Sequence, residues 1–178
     1  MAFKGYIDIS RVLDRMLSGR LPTGVDRVVL AYMQRWGGAS QALLQRGQWR
    51  RVMPYRESRR LFDLMLAPPS DFKAKVWRQI GQAVLPPWPS QVADDGFSFH
   101  LGQTGIDSPG FADWVTRSRQ RPVFFVHDLL PLAHPEYFPA NNAPVHARRI
   151  EAMLRLGVAI IANSADTREA ITRFAHSR

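Results

Sequence analysis

The chain has 178 residues, 46% of them apolar, no cysteine and a formal charge of +9. That length and apolar content suit one domain with a real core and exclude a largely disordered chain. The lack of cysteine excludes a disulfide framework, a thiolate metal site and a thiol nucleophile.

Lys4, Lys73 and Lys75 are the only lysines, so the positive charge is nearly all arginine. Such a balance favours anionic partners, but the arginines are scattered and read first as a solvated basic surface. The aromatic residues do not interleave with them as a nucleic-acid stacking platform would, and no nucleic acid is expected. "MAFKGYIDIS" has no long apolar segment of the signal type, and no apolar stretch is long enough to span a bilayer. The expectation is a cytoplasmic protein, with membrane contact limited to peripheral contact at the anionic inner face.

In chain order, "GYIDIS" (5–10) is a short strand with partial alternation, and a polar segment with Arg15, Ser18, Gly19 and Arg20 follows. "LPTGVDRVVLAYMQRWGG" is a helix: Thr23 is the N-cap, Asp26 stands in the capping-box position, and Gly37-Gly38 stop it. Val25, Val28, Val29, Tyr32, Met33 and Trp36 form its apolar stripe. "SQALLQRG" and "QWRRVMPY" are short strands around a glycine turn. Helices follow over 58–66, ended by Pro68-Pro69, and over 71–85, with Phe72, Val76, Ile80 and Val84 on one side. "PPWPSQVADDG" is a loop, its prolines opposing regular structure. "FSFHLG" alternates like a strand, and 110–117 is a short helix.

The last third has the clearest pattern. "PVFFVHD" is a continuous apolar strand of the kind buried on both faces of a parallel sheet. "LLPLAHPEYF" is a proline-stiffened loop. "APVHARRIEAMLRLG" is an amphipathic helix, with Ala143, Ala147, Ile150 and Leu154 inward and Gly157 at C′. "VAIIANS" is a second buried strand, and "SADTREAITRFA" a second helix capped by Ser164 or Asp166. This strand–helix–strand–helix order implies an α/β fold with a Rossmann-like parallel sheet flanked by helices.

Ligands of open parallel sheets bind beyond the carboxyl ends of the strands, which directs attention to three stretches. Thr23 and Gly24 open a helix whose N-terminal amides and dipole, with Arg20 and Arg27, could seat an anion. The pattern there favours an ordinary capped helix, since neither a Walker loop nor a dinucleotide fingerprint is present. His127 can bond a sugar hydroxyl or phosphate and titrate near neutrality; equally, it can brace a loop carbonyl while Asp128 caps the next turn. The pattern leaves both open. Asn163-Ser164 reads as a strand-to-helix turn with a cap, without a Gly-x-Ser-x-Gly elbow. His127, Asp128, His134 and Glu136 fit no common zinc spacing, so no metal is expected.

"DISRVL" followed by "TGVDRVVLAY", then "FHLGQTGIDSPGF", "PVFFVHDLLPLAHPEYF" and "RRIEAMLRLGVAIIANSADTREAI", resemble the N-terminal half of a bacterial group 1 (family 4) glycosyltransferase, an enzyme of GT-B architecture. The resemblance covers most of the chain apart from about 48–92. It implies a hexosyltransferase that moves a sugar from a nucleotide-sugar to a saccharide or lipid-linked saccharide with retention, without a metal, in surface polysaccharide biosynthesis. It places Thr23, Gly24 and Arg27 in the donor diphosphate loop and His127 and Asp128 at the reaction centre. Glu136 would shape the acceptor side, and Asn163 and Ser164 would line the interdomain cleft. On this reading residues 1–178 are a single acceptor-side domain. The nucleotide-sugar-binding domain with its Glu-x7-Glu motif is not in this sequence, and the chain alone is expected to be inactive. A non-catalytic glycan- or partner-binding domain of the same fold is the alternative, and a basic nucleic-acid-binding protein a third.

Overall fold

The computed structural model of the chain describes residues 5–84 and 96–177. The strands are β1 (Gly5–Asp8), β2 (Ser40–Arg46), β3 (Trp49–Val52), β4 (Phe97–His100), β5 (Arg121–Val126) and β6 (Ala159–Ala162). The helices are α1 (Ser10–Leu17), α2 (Gly24–Trp36), α3 (Tyr55–Leu66), α4 (Phe72–Val84), α5 (Phe111–Arg117), α6 (Leu130–Ala133), α7 (Asn142–Leu156) and α8 (Ala165–His176). The expected loop at 86–96 lies outside the described residues except for Gly96, as do the Val84 side chain and Leu85 at the end of α4.

The strands form one sheet in the order β3-β2-β1-β4-β5-β6. All neighbours are parallel except β2 and β3, a hairpin turned by Gly47 at φ +58°. The chain moves outward from β1 to β3, then returns across β1 to lay down β4, β5 and β6. The fold is α/β and Rossmann-like, and its direction reverses between β1 and β4.

Strand β5 explains why helices cover both faces. Phe125 enters the core under α1 to α4, while Phe124 and Val126 enter the core under α5, α7 and α8. Alternate side chains of one strand therefore feed two cores, as its continuous apolar run predicts. Full burial of each large apolar side chain stabilises the fold by roughly 1.5–3 kcal/mol.

Helix α2 starts where the capping box predicts. The Thr23 amide and hydroxyl both donate to Asp26 Oδ2 at 2.7 Å.

Five local expectations are corrected. The polar segment after β1 is helix α1; Val12 and Leu13 are buried, while its arginines face outward or toward Asp26. The buried line of α2 is Val29 and Met33, and Trp36 is 43% exposed at its end, its ring tilted against Tyr32. The stretch 129–138 is not a plain loop but α6 followed by a 3-10 turn at Pro135–Tyr137. Helix α7 buries Ile150, Ala152 and Met153, and Leu154 faces out, because the helix sits between α5 and α8 rather than on one flat face. Strand β6 is an edge strand, half-exposed along its length, because no further strand pairs with it among the described residues.

Gly157 ends α7 with an ordinary negative φ rather than in the left-handed region. What excludes a side chain there is space: a Cβ would stand 2.7 Å from the Met153 carbonyl oxygen and 2.9 Å from the Phe124 ring.

Candidate functional site at the carboxyl edge of the sheet

Five parallel strands deliver their carboxyl ends to one edge. At the reversal point β1 ends in Asp8 and β4 in His100, which are 4% and 0% exposed. The Ser10 amide and hydroxyl donate to Asp8 Oδ1 at 3.0 and 2.5 Å, and Gln45 Nε2 donates to Oδ2 at 2.6 Å. His100 Nδ1 lies 3.5 Å from the same oxygen, and His100 Nε2 meets Ser98 Oγ at 3.2 Å. The buried carboxyl of β1 thus gathers donors from α1 and β2, with His100 of β4 beside it, at the place where open sheets usually admit a ligand.

The chain itself fills that place. Residues 101–110 lie over the reversal point, with Gln103 in the left-handed region at φ +57°. Gln45 Nε2 donates to the Thr104 carbonyl at 2.7 Å, Gln103 Nε2 to the Phe125 carbonyl at 3.1 Å, and Arg50 to Ser108 Oγ. Arg149 pairs with Asp107 at 2.8 Å. Burial, the larger influence, pulls the Arg50 guanidinium below its ordinary value, and Asp8 partly offsets this. An arginine still stays protonated near neutrality.

His127 follows β5 and takes part in the same network. Its Nε2 donates to the Leu101 carbonyl at 2.8 Å, and its ring lies against Phe125 with centroids 4.7 Å apart. Nε2 must carry the hydrogen that this carbonyl accepts, and Nδ1 has no protein partner among the described residues. Thr167 Oγ1 donates to the His127 carbonyl at 3.4 Å and accepts from Ser164 Oγ at 3.0 Å. Ser164 is the cap of α8, accepting from the Thr167 amide at 3.0 Å. The fold therefore ties Ser164 to the His127 main chain through Thr167, and leaves the neighbouring Asn163 exposed.

Asp128 is occupied locally. Its carboxylate accepts from the Leu130 amide at 3.1 Å, and its carbonyl accepts from His146 Nε2 at 3.1 Å. Burial, ahead of a smaller contribution from Arg149, pushes the His146 imidazole below its ordinary value against the pull of Asp128. Glu136 sits in the exposed 3-10 turn, 3.3 Å from His134. No group of three or more His, Asp or Glu gathers at metal-binding distance among the described residues.

Thr23, Gly24 and Arg27 belong to a separate assembly. Asp26 has no exposed side-chain surface and meets Arg11 at 3.3 Å and Arg15 at 2.9 Å. Burial alone would raise its carboxyl; the Thr23 bonds and then the two arginines outweigh it, so the group titrates below its ordinary value of 3.8. No hydrogen bond or ion pair joins this assembly to His127 or Asn163 among the described residues. The folded carboxyl holds its proton less tightly than the unfolded one. Its stabilisation is present above the unfolded value and lost as pH falls through the folded one. Asp26→Ala is expected to cost about 2 kcal/mol at neutral pH, because a cap is lost and two half-exposed arginines lose their counter-charge. Urea unfolding at a series of pH values measures it. A cost that does not shrink toward about pH 3 would remove the charge from this account.

Sequence reasoning passed over Asp8, Gln45 and His100. One signal was available: in "FSFH" the structure buries Ser98 and His100 completely and leaves Phe97 and Phe99 only half-buried. Polar residues on the inward parity of a central strand mark a buried network.

No helix of the described residues is long and apolar enough to cross a membrane. Compared with protein-family models, with curated proteins and with solved structures, the chain matches none of them.

Proposed function

We propose that the chain is the acceptor-side lobe of a retaining GT-B hexosyltransferase, which moves a sugar from a nucleotide-sugar to a saccharide or lipid-linked saccharide in surface polysaccharide synthesis. The observation that supports this best is the state of His127. One ring nitrogen is held by Leu101, and the other has no protein partner among the described residues, at the carboxyl edge of a central strand where the His127 carbonyl is tied to Ser164 through Thr167. An imidazole held in one orientation can accept a hydrogen bond from a hydroxyl of the transferred sugar without first being ordered. The N-terminal amides of α2 at Gly24 and the exposed Arg27 would add positive potential toward a leaving diphosphate. The rest of the diphosphate contacts would come from a nucleotide-binding lobe, and no step draws on a metal.

Amide resonances of the labelled chain, titrated with neutral and acidic saccharides and with nucleotide-sugars, test the reading. Saccharides are expected to shift His127, Asn163 and Ser164, with no release of nucleoside diphosphate from any donor. Shifts confined to other surfaces would sink the assignment of the site. Turnover by the 178-residue chain would sink the half-site reading.

A glycan-binding domain without chemistry is the second reading, and Asp128 favours it: both its carboxylate and its carbonyl are already used inside the protein. Salt-sensitive binding to random DNA, with no saccharide response, would move the assignment to nucleic acid.

A further inference from the structure

A cleft of about 880 Å³ lies between α1, the β2–β3 hairpin, α4 and the turn at Thr104 and Gly105, and His127 does not line it. This is the size of a small-molecule site. Its walls are Leu13 and Leu17 of α1, Ile80 and Trp77 of α4, and Trp49 of the hairpin. Trp77 is 58% exposed and Trp49 37%, so two indoles stand open to water beside aliphatic side chains.

The rim is cationic. Arg11, Arg15, Arg20 and Arg46 line the cleft against one acid, Asp14. Arg11 and Arg15 are answered by Asp26, and Arg20 by Asp14 at 3.1 Å. Arg46 has no acidic partner among the described residues, and it lies directly across the hairpin from Trp49. An unanswered guanidinium thus sits next to an exposed indole at the mouth of an apolar slot.

The polar groups on the cleft floor are already used. Ser10 Oγ donates to Asp8 and accepts from the Gln45 amide at 2.8 Å. Gln45 Nε2 serves Asp8 and the Thr104 carbonyl, and Thr104 Oγ1 donates to the Gly102 carbonyl at 3.3 Å. Gln45 Oε1 is unpartnered but closed off from solvent. The floor therefore offers little to read a base edge or a row of sugar hydroxyls. What the cleft offers is aliphatic and indole surface ending at a guanidinium.

We propose that this cleft binds a lipid phosphate, with its hydrocarbon chain between Trp77 and the leucines of α1 and its phosphate on Arg46. An alkyl chain satisfies the walls through area removed from water, and the phosphate forms a charge-assisted bond to the one unanswered arginine. The proposal rests on the cleft alone and stands whether or not the carboxyl edge of the sheet transfers a sugar.

Titration calorimetry of the whole chain tests it without any sugar donor. The probes are dodecyl phosphate kept below its micelle concentration, inorganic phosphate, dodecyl glucoside, and vesicles of anionic phospholipid. Saturable one-site binding is expected for dodecyl phosphate, well above that of inorganic phosphate or the uncharged glucoside. Arg46→Glu and Trp77→Ala each change an exposed side chain, and each is expected to weaken binding about tenfold with circular dichroism unchanged. Equal binding of the glucoside or of inorganic phosphate would overturn the proposal, as would unchanged affinity in either variant. Binding to vesicles without binding to the monomeric probe would replace the cleft by adsorption of the basic surface.

Discussion

Asp8→Ala is expected to lower the stability of the fold by about 3–4 kcal/mol, the largest single-residue effect we anticipate. The carboxylate accepts from the Ser10 amide, the Ser10 hydroxyl and the Gln45 amide group. Alanine would leave these donors without their acceptor, the Gln45 group buried and Ser10 part-buried at the floor of the cleft between α1 and α4. An unsatisfied buried donor costs roughly 1–3 kcal/mol. Gln45 keeps its bond to Thr104, so its share is smaller. Asparagine is no remedy, because its amide nitrogen would face either Gln45 Nε2 or Ser10. The midpoint of urea unfolding measures the loss, and a cost below about 1 kcal/mol would show that water replaces the lost acceptor. Amide exchange over 104–108 is expected to accelerate in the variant as well, since Gln45 couples Asp8 to that segment.

The second large effect concerns activity. In a protein carrying both lobes, His127→Ala is expected to lower kcat about 10²-fold, as when a single oriented active-site contact is lost. Stability should fall by only about 1 kcal/mol, because one hydrogen bond to the Leu101 carbonyl disappears. The separation of these two readouts decides the role. A brace for the 101–110 segment would move stability and amide exchange while leaving kcat within a few-fold. A group that accepts a bond from the transferred sugar would move kcat first. His127→Gln sharpens the contrast, since its amide can still donate to a carbonyl while the imidazole acceptor is gone. Near-normal turnover in both variants, with the fold intact, would make His127 a structural residue.

Much of the fold is legible where one physical rule dominates locally. The run Val123–Val126 has to be a strand buried on both faces, because successive side chains point to opposite sides and all are apolar. Thr23 and Asp26 announce the start of α2 three residues apart, and the structure places the box there. Helix α1 was less legible because Arg11, Asp14, Arg15 and Ser18 obscure a short apolar stripe whose only buried members are Val12 and Leu13. In α7 the period places Ile150 inward correctly but Leu154 wrongly, because the helix contacts α5, α6 and α8 and its buried side is set by where those helices pack. For β6, an apolar composition did not reveal whether a neighbour would cover it.

By itself the sequence determined the class of the fold, the order of its strands and longer helices, and three strand or helix ends at which chemistry could sit, since these follow from side-chain period and local capping. Tertiary structure alone decided what those ends do to one another. It joined His127 to Ser164 through Thr167, and occupied Asp128 with its own turn. It also brought Asp8, Gln45 and His100, far apart along the chain, into one buried network. Hydrogen bonds and charge pairs act over a few ångströms of space and are indifferent to sequence separation, so the site becomes visible only once the sheet has set the strand ends side by side.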